Sequence, residues 1–288
     1  MVWWPLAWSA ELRSKPLAVN VCGEELVLFR GLQGKAQALE DRCPHRRVPL
    51  SLGRVTADGE LQCGYHGWIY DGVSGQCTKI PNFRGDERVS PRIKAASYPV
   101  VERSGVIFVG FAASRSDAPD IGARDLSTSC TGRAELSLGH ETWMRIFLHS
   151  PGRAVGLCAG LGAIRSHRVD GDSLVFDEPF QNGKGLIRTR CWAGSGYAQM
   201  QRINSSGLLN AQVDIASLPD GSGGTQVRWR YARRGVHWKF TGLLVKLLPA
   251  LMPITVSQGL ALQSDIEAGF IFNEWCRLSR VSSDERVA

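Results

Sequence analysis

Cys43-Pro44-His45-Arg46 and Cys63-Gly64-Tyr65-His66-Gly67-Trp68, with seventeen residues between His45 and Cys63, form a pair of short loops. Each offers one thiolate and one imidazole, as Cys-x-His and Cys-x-x-His. Two Cys and two His also suit tetrahedral zinc, but zinc patterns usually bring like ligands together, Cys with Cys and His with His. A mixed pair in each loop instead suits a two-iron group in which each loop gives one ligand to each iron. Cys43 and Cys63 would then hold one iron, and His45 and His66 the other.

That is the ligand set of a Rieske [2Fe–2S] cluster, with a structural zinc site as the weaker alternative. Rieske proteins of respiratory complexes carry a further Cys in each loop, and the two close a disulfide beside the cluster. Val48 and Tyr65 stand in the corresponding places here. Without that disulfide the expected potential lies low in the Rieske range, roughly −150 mV, which suits an acceptor of electrons from a ferredoxin. Tyr65, Trp68 and Tyr70 are expected to pack under the cluster loops and exclude water.

A chain of 288 residues that is 43% hydrophobic can bury a large core and has room for two domains. Eight Cys would suggest disulfides in a secreted protein, but Met1-Val2-Trp3-Trp4-Pro5 is no signal peptide, so a cytosolic protein is expected. Cys22, Cys77, Cys130, Cys158, Cys191 and Cys276 are then read as buried thiols. A net charge of +7 invites a nucleic-acid reading, yet the Lys and Arg are dispersed, with only short clusters such as 228–234. No nucleic acid is expected. A basic surface that docks an acidic electron donor is the functional reading of the charge.

Along the chain, 25–30, 36–40, 61–63, 75–80 and 105–111 read as short strands between Gly-rich turns, a small antiparallel β domain over 1–112. Residues 113–130 are polar and aperiodic and read as a linker. In 131–288, strands are expected at 173–178, 186–192, 211–215 and 225–232, and amphipathic helices at 239–252 and 256–280, so this unit is α+β. The apolar run 241–256 is broken by Lys246, Pro249 and Pro253 and falls short of the ~20 residues that span a bilayer, so no transmembrane segment is expected.

Residues 3–111 resemble the α subunit of Rieske non-haem iron oxygenases, which hydroxylate arenes or demethylate O- and N-methyl groups. The resemblance rests on 25–30, on Asp41-Arg42-Cys43-Pro44-His45-Arg46, on Pro49-Leu50-Ser51-Leu52-Gly53, on Tyr65-His66-Gly67-Trp68 and on Ile80-Pro81. It implies that 131–288 is a helix-grip domain, an antiparallel sheet with helices, holding one Fe(II) by two His and one carboxylate. In the family the two His lie on a helix as Asp-x₂-His-x₄-His. The matching stretch here is 148–157, where His149 replaces the Asp, Gly152 the first His and Leu157 the second; Asp265 resembles the C-terminal carboxylate.

Gly and Leu offer a metal no donor atom, so mononuclear Fe(II) is expected to be absent. Of the other His, 140, 149, 167 and 237, no two stand four or five apart, and a relocated set such as His140, Glu141 and His149 is the weaker reading. In the family, trimers run head to tail and each cluster serves the next subunit's iron. The resemblance therefore implies a hetero-oligomer, possibly α₃α′₃, in which this chain passes electrons from a ferredoxin or flavin reductase to the Fe(II) of a complete α subunit. The alternatives are a self-sufficient monooxygenase with non-standard iron ligands and a simple Rieske ferredoxin.

Overall fold

The computed structural model of the chain describes residues 2–83, 88–111, 118–122, 126, 128–149, 151–154 and 166–234. These fall into two compact units, Met1–Ala113 and Ser114–Ala288. Both are built on antiparallel strands, and the described residues contain one helix longer than a single turn.

The first unit holds β1 (Val2–Trp8), β2 (Leu17–Val21), β3 (Glu24–Arg30), β4 (Ala36–Glu40), β5 (Arg54–Val55), β6 (Leu61–Gln62), β7 (Ile69–Tyr70), β8 (Cys77–Lys79), β9 (Ser97–Tyr98), β10 (Val100–Arg103) and β11 (Val106–Phe111). They pair in the orders β1-β11-β10, β2-β3-β4-β9 and β5-β6-β7-β8. The turn between β2 and β3 places Cys22 and Gly23 at φ 55° and 82°, the left-handed pair that a two-residue hairpin needs. Cys22 is therefore exposed at a turn tip, against the expectation of a buried thiol; Cys77 and Cys191 are buried, Cys130 is half-buried, and Cys158 and Cys276 lie outside the described residues.

Val27, Phe29, Leu39, Leu50, Leu61, Tyr70, Ile80 and Ala95 form a core that also contains Cys43, Cys63 and Cys77. β3 supplies Val27 and Phe29, β4 Leu39, and β6 and β7 supply Leu61 and Tyr70. Cys63 directly follows β6, and Cys43 follows β4 by three residues. Each loop thus springs from a strand end that is anchored in the core, which gives its ligands fixed positions.

The second unit is a seven-stranded sheet in the order β12-β18-β17-β16-β15-β14-β13. Its strands are β12 (Thr128–Leu136), β13 (Ser166–Asp170), β14 (Ser173–Pro179), β15 (Gly185–Trp192), β16 (Tyr197–Asn204), β17 (Leu209–Pro219) and β18 (Thr225–Arg233). β12 begins inside the stretch expected as linker: Thr128 stands opposite Ala232, and pairing with β18 recruits polar residues that show no period of their own. Leu174, Cys191, Ala198, Ile215 and Trp229 stand opposite one another on successive strands and line one apolar face.

Helix α1 (His140–His149) covers that face with Trp143, Met144, Ile146, Phe147 and Leu148, all buried. Their spacing makes one apolar stripe, and Glu141 and Arg145 pair one turn apart on the exposed side at 2.9 Å. The last described residue of the helix is His149, and Pro151 opens the short turn α2 (Pro151–Ala154). The helices expected at 239–252 and 256–280, and the apolar run 241–256, lie outside the described residues. No helix among the described residues is long and apolar enough to cross a membrane.

Candidate metal centre

The two ligand loops close in the same way. Cys43 N–H donates to Val48 O at 2.9 Å and Arg47 N–H to Cys43 O at 2.8 Å; Cys63 N–H donates to Trp68 O at 2.8 Å and Gly67 N–H to Cys63 O at 3.1 Å. In both, the residue four places after the Cys is left-handed, Arg47 at φ 58° and Gly67 at φ 70°. A Cβ on Gly67 would also stand 3.1 Å from Pro81 Cγ, so loop 2 uses glycine where loop 1 tolerates a strained arginine. Asp41, at the base of loop 1, accepts the N–H and the Oγ–H of Ser51, each at 2.6 Å, and ties the loop to the segment beyond it.

These turns bring the sequence-predicted ligands together in two like pairs. Cys43 and Cys63 are each 2% exposed, are not bridged, and lie close enough to perturb one another. The His45 and His66 rings stand 4.7 Å apart between centroids. His45 Nδ1 is buried and makes no hydrogen bond, which is what a ring nitrogen reserved for a metal looks like. Burial, then the charges of His66 and Arg46, hold His45 below its usual range and so in the neutral form that ligates. Among the described residues no three His, Cys, Asp or Glu side chains converge on one ion position. A cluster that takes two protein ligands per iron does not require three. The donor set fits a [2Fe–2S] group, which when bound supplies one-electron transfer at the tip of this unit.

The surrounding rings divide into two kinds. Trp68 stacks on His45, 4.4 Å between centroids and 3° from parallel, and Tyr70 is fully buried. Tyr65 does not pack beneath the loops: it is 63% exposed, its ring 3.9 Å from that of His66 between centroids and tilted 36° to it. The core below the loops is already filled by Leu50, Leu61 and Tyr70, so the loop-tip ring is turned to solvent.

Tyr70 Oη lies 3.1 Å from Cys43 Sγ, and burial together with that sulfur pushes the phenol far above its ordinary range. A phenol held protonated donates to a ligand thiolate and favours the reduced, more negative state. Removing a charge-assisted bond of this kind changes the state difference by about 1 kcal/mol, and about 1.4 kcal/mol is 59 mV for one electron. Tyr70→Phe is therefore expected to lower the reduction potential by about 40 mV, read by redox titration of the electron paramagnetic resonance signal. Cys77, in the same core, donates weakly to Lys79 O at 3.7 Å, and burial pushes its thiol up to about 11.

In the second unit, Gly152 alone of the positions matched to the family's iron ligands lies among the described residues. His149 ends α1, half-buried, and Leu157 and Asp265 lie outside the described residues. Gly152 is buried in α2, and its N–H donates at 3.1 Å to the carboxylate of Glu178, which is fully buried on β14. Nothing in the spacing of the sequence marks Glu178; only the register of β14 brings it beneath the helix break. His140 and His149 are nine residues apart on one helix, hence about 180° apart around it, and cannot share an ion.

His140 Nε2 instead lies 3.2 Å from both the carbonyl and the hydroxyl oxygen of Ser217. Burial lowers its pKa to about 4, and its place at the first turn of α1, where the helix dipole is positive, acts in the same direction. The unfolded chain then takes up a proton that the folded chain resists. Stability contributed by neutral His140 is complete above about pH 6.5 and lost as pH falls towards 4, on the order of 2–3 kcal/mol over the window. Urea unfolding of wild type and His140→Gln at pH 7.5 and 4.5 is expected to show a smaller acid loss in the variant.

Residues 2–99 match the family described as the Rieske [2Fe-2S] domain. Among curated proteins, the chain is 44% identical over 109 residues to the vanillate O-demethylase oxygenase subunit of Pseudomonas sp., covering 37% of this chain and 28% of that protein. It is 36% identical over 121 residues to the 3-chlorobenzoate-3,4-dioxygenase oxygenase subunit of Comamonas testosteroni, covering 41% of this chain and 27% of that one. The matched stretch thus spans less than a third of these relatives. Across the whole chain the fold is that of dicamba monooxygenase bound to dicamba, with a TM-score of 0.73 at 20% identity over 98% of this chain and 97% of that one. The NdmA mutant of Pseudomonas putida CBB5 with caffeine is similar at a TM-score of 0.77 and 21% identity, over 98% and 90% of the two chains. The family match lies within the N-terminal unit.

Proposed function

We propose that the chain is an electron-transfer subunit of a heteromeric Rieske oxygenase. It takes electrons from a ferredoxin or flavin reductase and passes them to the mononuclear Fe(II) of a complete α subunit, which hydroxylates or demethylates an organic substrate. Cys43 and Cys63 would hold one iron of the cluster, His45 and His66 the other. Tyr70 donates to a ligand sulfur, Trp68 shields the His45 ring, and Asp41 with Ser51 fixes loop 1.

The observation that carries the reading is the contrast between the two units. Cys43 and Cys63 lie near one another and the His45 and His66 rings stand 4.7 Å apart, whereas Gly152, matched to the family's first iron-binding His, offers no donor atom and gives its amide to Glu178. Asp265, the matched carboxylate, and His149, at the position of the bridging Asp, would then be remnants. A head-to-tail α₃α′₃ ring would bring this chain's cluster near its neighbour's iron.

The decisive measurement is iron content with electron paramagnetic resonance on the purified chain, alone and with an intact α subunit. About two irons per chain and a Rieske signal are expected, with no turnover when only a reductase is supplied and turnover when the complete subunit is added. A third iron per chain, or turnover by the chain with reductase alone, overturns the proposal in favour of a self-sufficient monooxygenase.

A further inference from the structure

The tip of the first unit carries a surface that electron passage by itself does not require. Segment 43–57 contains Arg46, Arg47 and Arg54 and no Asp or Glu, and segment 61–70 contains no Asp, Glu, Lys or Arg. Arg54 is held by Gln62 Oε1 at 2.6 Å, but Arg46 and Arg47 are exposed and have no ion-pair partner among the described residues. Asp41, the carboxylate just before the segment, is buried and turned inward to Ser51.

Between these charges lies apolar surface. The short turn Leu50–Leu52 buries Leu50 completely and leaves Leu52 75% exposed. A Cβ on Gly64 would stand 2.8 Å from Leu52 O, so the absence of a side chain there lets loop 2 lie against this turn and sets Tyr65, 63% exposed, on the same tip as Leu52. His66, the exposed ligand, borders Tyr65. Two large apolar side chains in solvent, two unpaired guanidiniums and an exposed ligand ring on one tip have the composition of a small, transient protein interface.

We infer that Arg46, Arg47, Leu52 and Tyr65 form the docking face for an acidic iron–sulfur electron donor, with the electron arriving at the His66 edge. The inference rests on the electron-transfer reading and names the partner's chemistry. Unpaired arginines with no carboxylate among them attract an anionic surface and speed encounter, while a patch of this size releases the partner after transfer. The step is a one-electron exchange: the reduced donor is oxidised by one electron, this chain's [2Fe–2S] group is reduced by one, and no bond is made or broken.

The test is stopped-flow reduction of the holo chain by a photoreduced acidic plant-type ferredoxin, beside reduction by a small uncharged reductant. The ferredoxin rate constant is expected to fall about tenfold or more between low and high salt. Arg46→Glu with Arg47→Glu is expected to lower the low-salt rate at least about tenfold and to abolish its salt dependence. Leu52→Ser lowers the rate several-fold and leaves the salt dependence in place. The small reductant should lose far less rate than the ferredoxin in every variant, and immobilised oxidised ferredoxin should retain wild type but not the Arg variant.

An unchanged ferredoxin rate in the Arg variant overturns the inference. So does an equal loss with the small reductant, which would mean that the residues act on the potential. Loss of co-purification with a complete α subunit, with the ferredoxin rate intact, assigns the face to a subunit interface and also overturns it. None of these outcomes touches the electron-transfer reading, which fails separately if the chain holds no [2Fe–2S] group.

Discussion

Cys63→Ser is expected to take the purified chain from about two irons to near none and to abolish both the visible absorbance and the Rieske resonance signal. The hydroxyl is too weakly acidic to replace a thiolate on iron, and the remaining Cys43 can hold only half of that iron's protein ligation. Cys63 is also the more exacting of the two sulfurs to replace. Burial pushes the Cys63 thiol above its ordinary range, and the backbone amides of Tyr65 and His66 directed at it act the other way, so a thiolate there relies on the loop that presents it. Cys77→Ser is the matched control. It sits in the same core, is equally buried, and is kept as a neutral thiol by that burial. Iron content in that variant should match wild type. Were the site zinc, wild type would instead hold about one colourless metal per chain, and Cys63→Ser would remove it without a spectral change.

The ligands were legible because coordination chemistry constrains residue type and local spacing together. Two mixed Cys/His loops say which atoms must meet even before any strand is placed. Their shared turn geometry was not legible. Gly67 announces a left-handed position, but its counterpart in loop 1 is Arg47, whose residue type conceals the same backbone. Tyr65 and Tyr70 are alike as residues, yet one is exposed and the other fully buried; only the filled core below the loops separates them.

Strands with strong apolar content were visible: 25–30 and 36–40 lie within or upon β3 and β4, and 173–178 and 225–232 within β14 and β18. β1 was hidden because Val2-Trp3-Trp4-Pro5 shows no alternation and contains a proline, which the strand accommodates by a register shift between Pro5 and Ala7. β5 and β7, two residues each, are too short to show a period. β17 runs from Leu209 to Pro219, well beyond the expected 211–215, because Gln212 and Asp214 look like a solvent face. They are in fact buried, and only cross-strand register shows why that is possible.

The register puts Arg190, Gln199, Asp214 and Arg230 opposite one another on β15, β16, β17 and β18. Asp214 is 0% exposed and Arg230 4%, and Arg230 Nε donates to Asp214 Oδ2 at 2.5 Å. Asp214 Oδ1 accepts from Gln212 at 2.8 Å and from Gln199 at 3.4 Å. A buried carboxylate so surrounded has its oxygens hydrogen-bonded, but it depends on the guanidinium for its countercharge. Arg230→Ala leaves that charge without it, and such a loss destabilises by about 3–5 kcal/mol. The second unit's unfolding midpoint in urea should fall accordingly. Replacing both partners, Arg230→Met with Asp214→Leu, removes the stranded charge as well as its partner and should recover most of the loss. Comparable destabilisation in the single and double variants would mean that packing of the Arg230 stem, and not charge, holds this face. In either case the Rieske signal of the first unit should persist under conditions where the variant's second sheet has begun to melt, because the cluster ligands draw their support from a separate core.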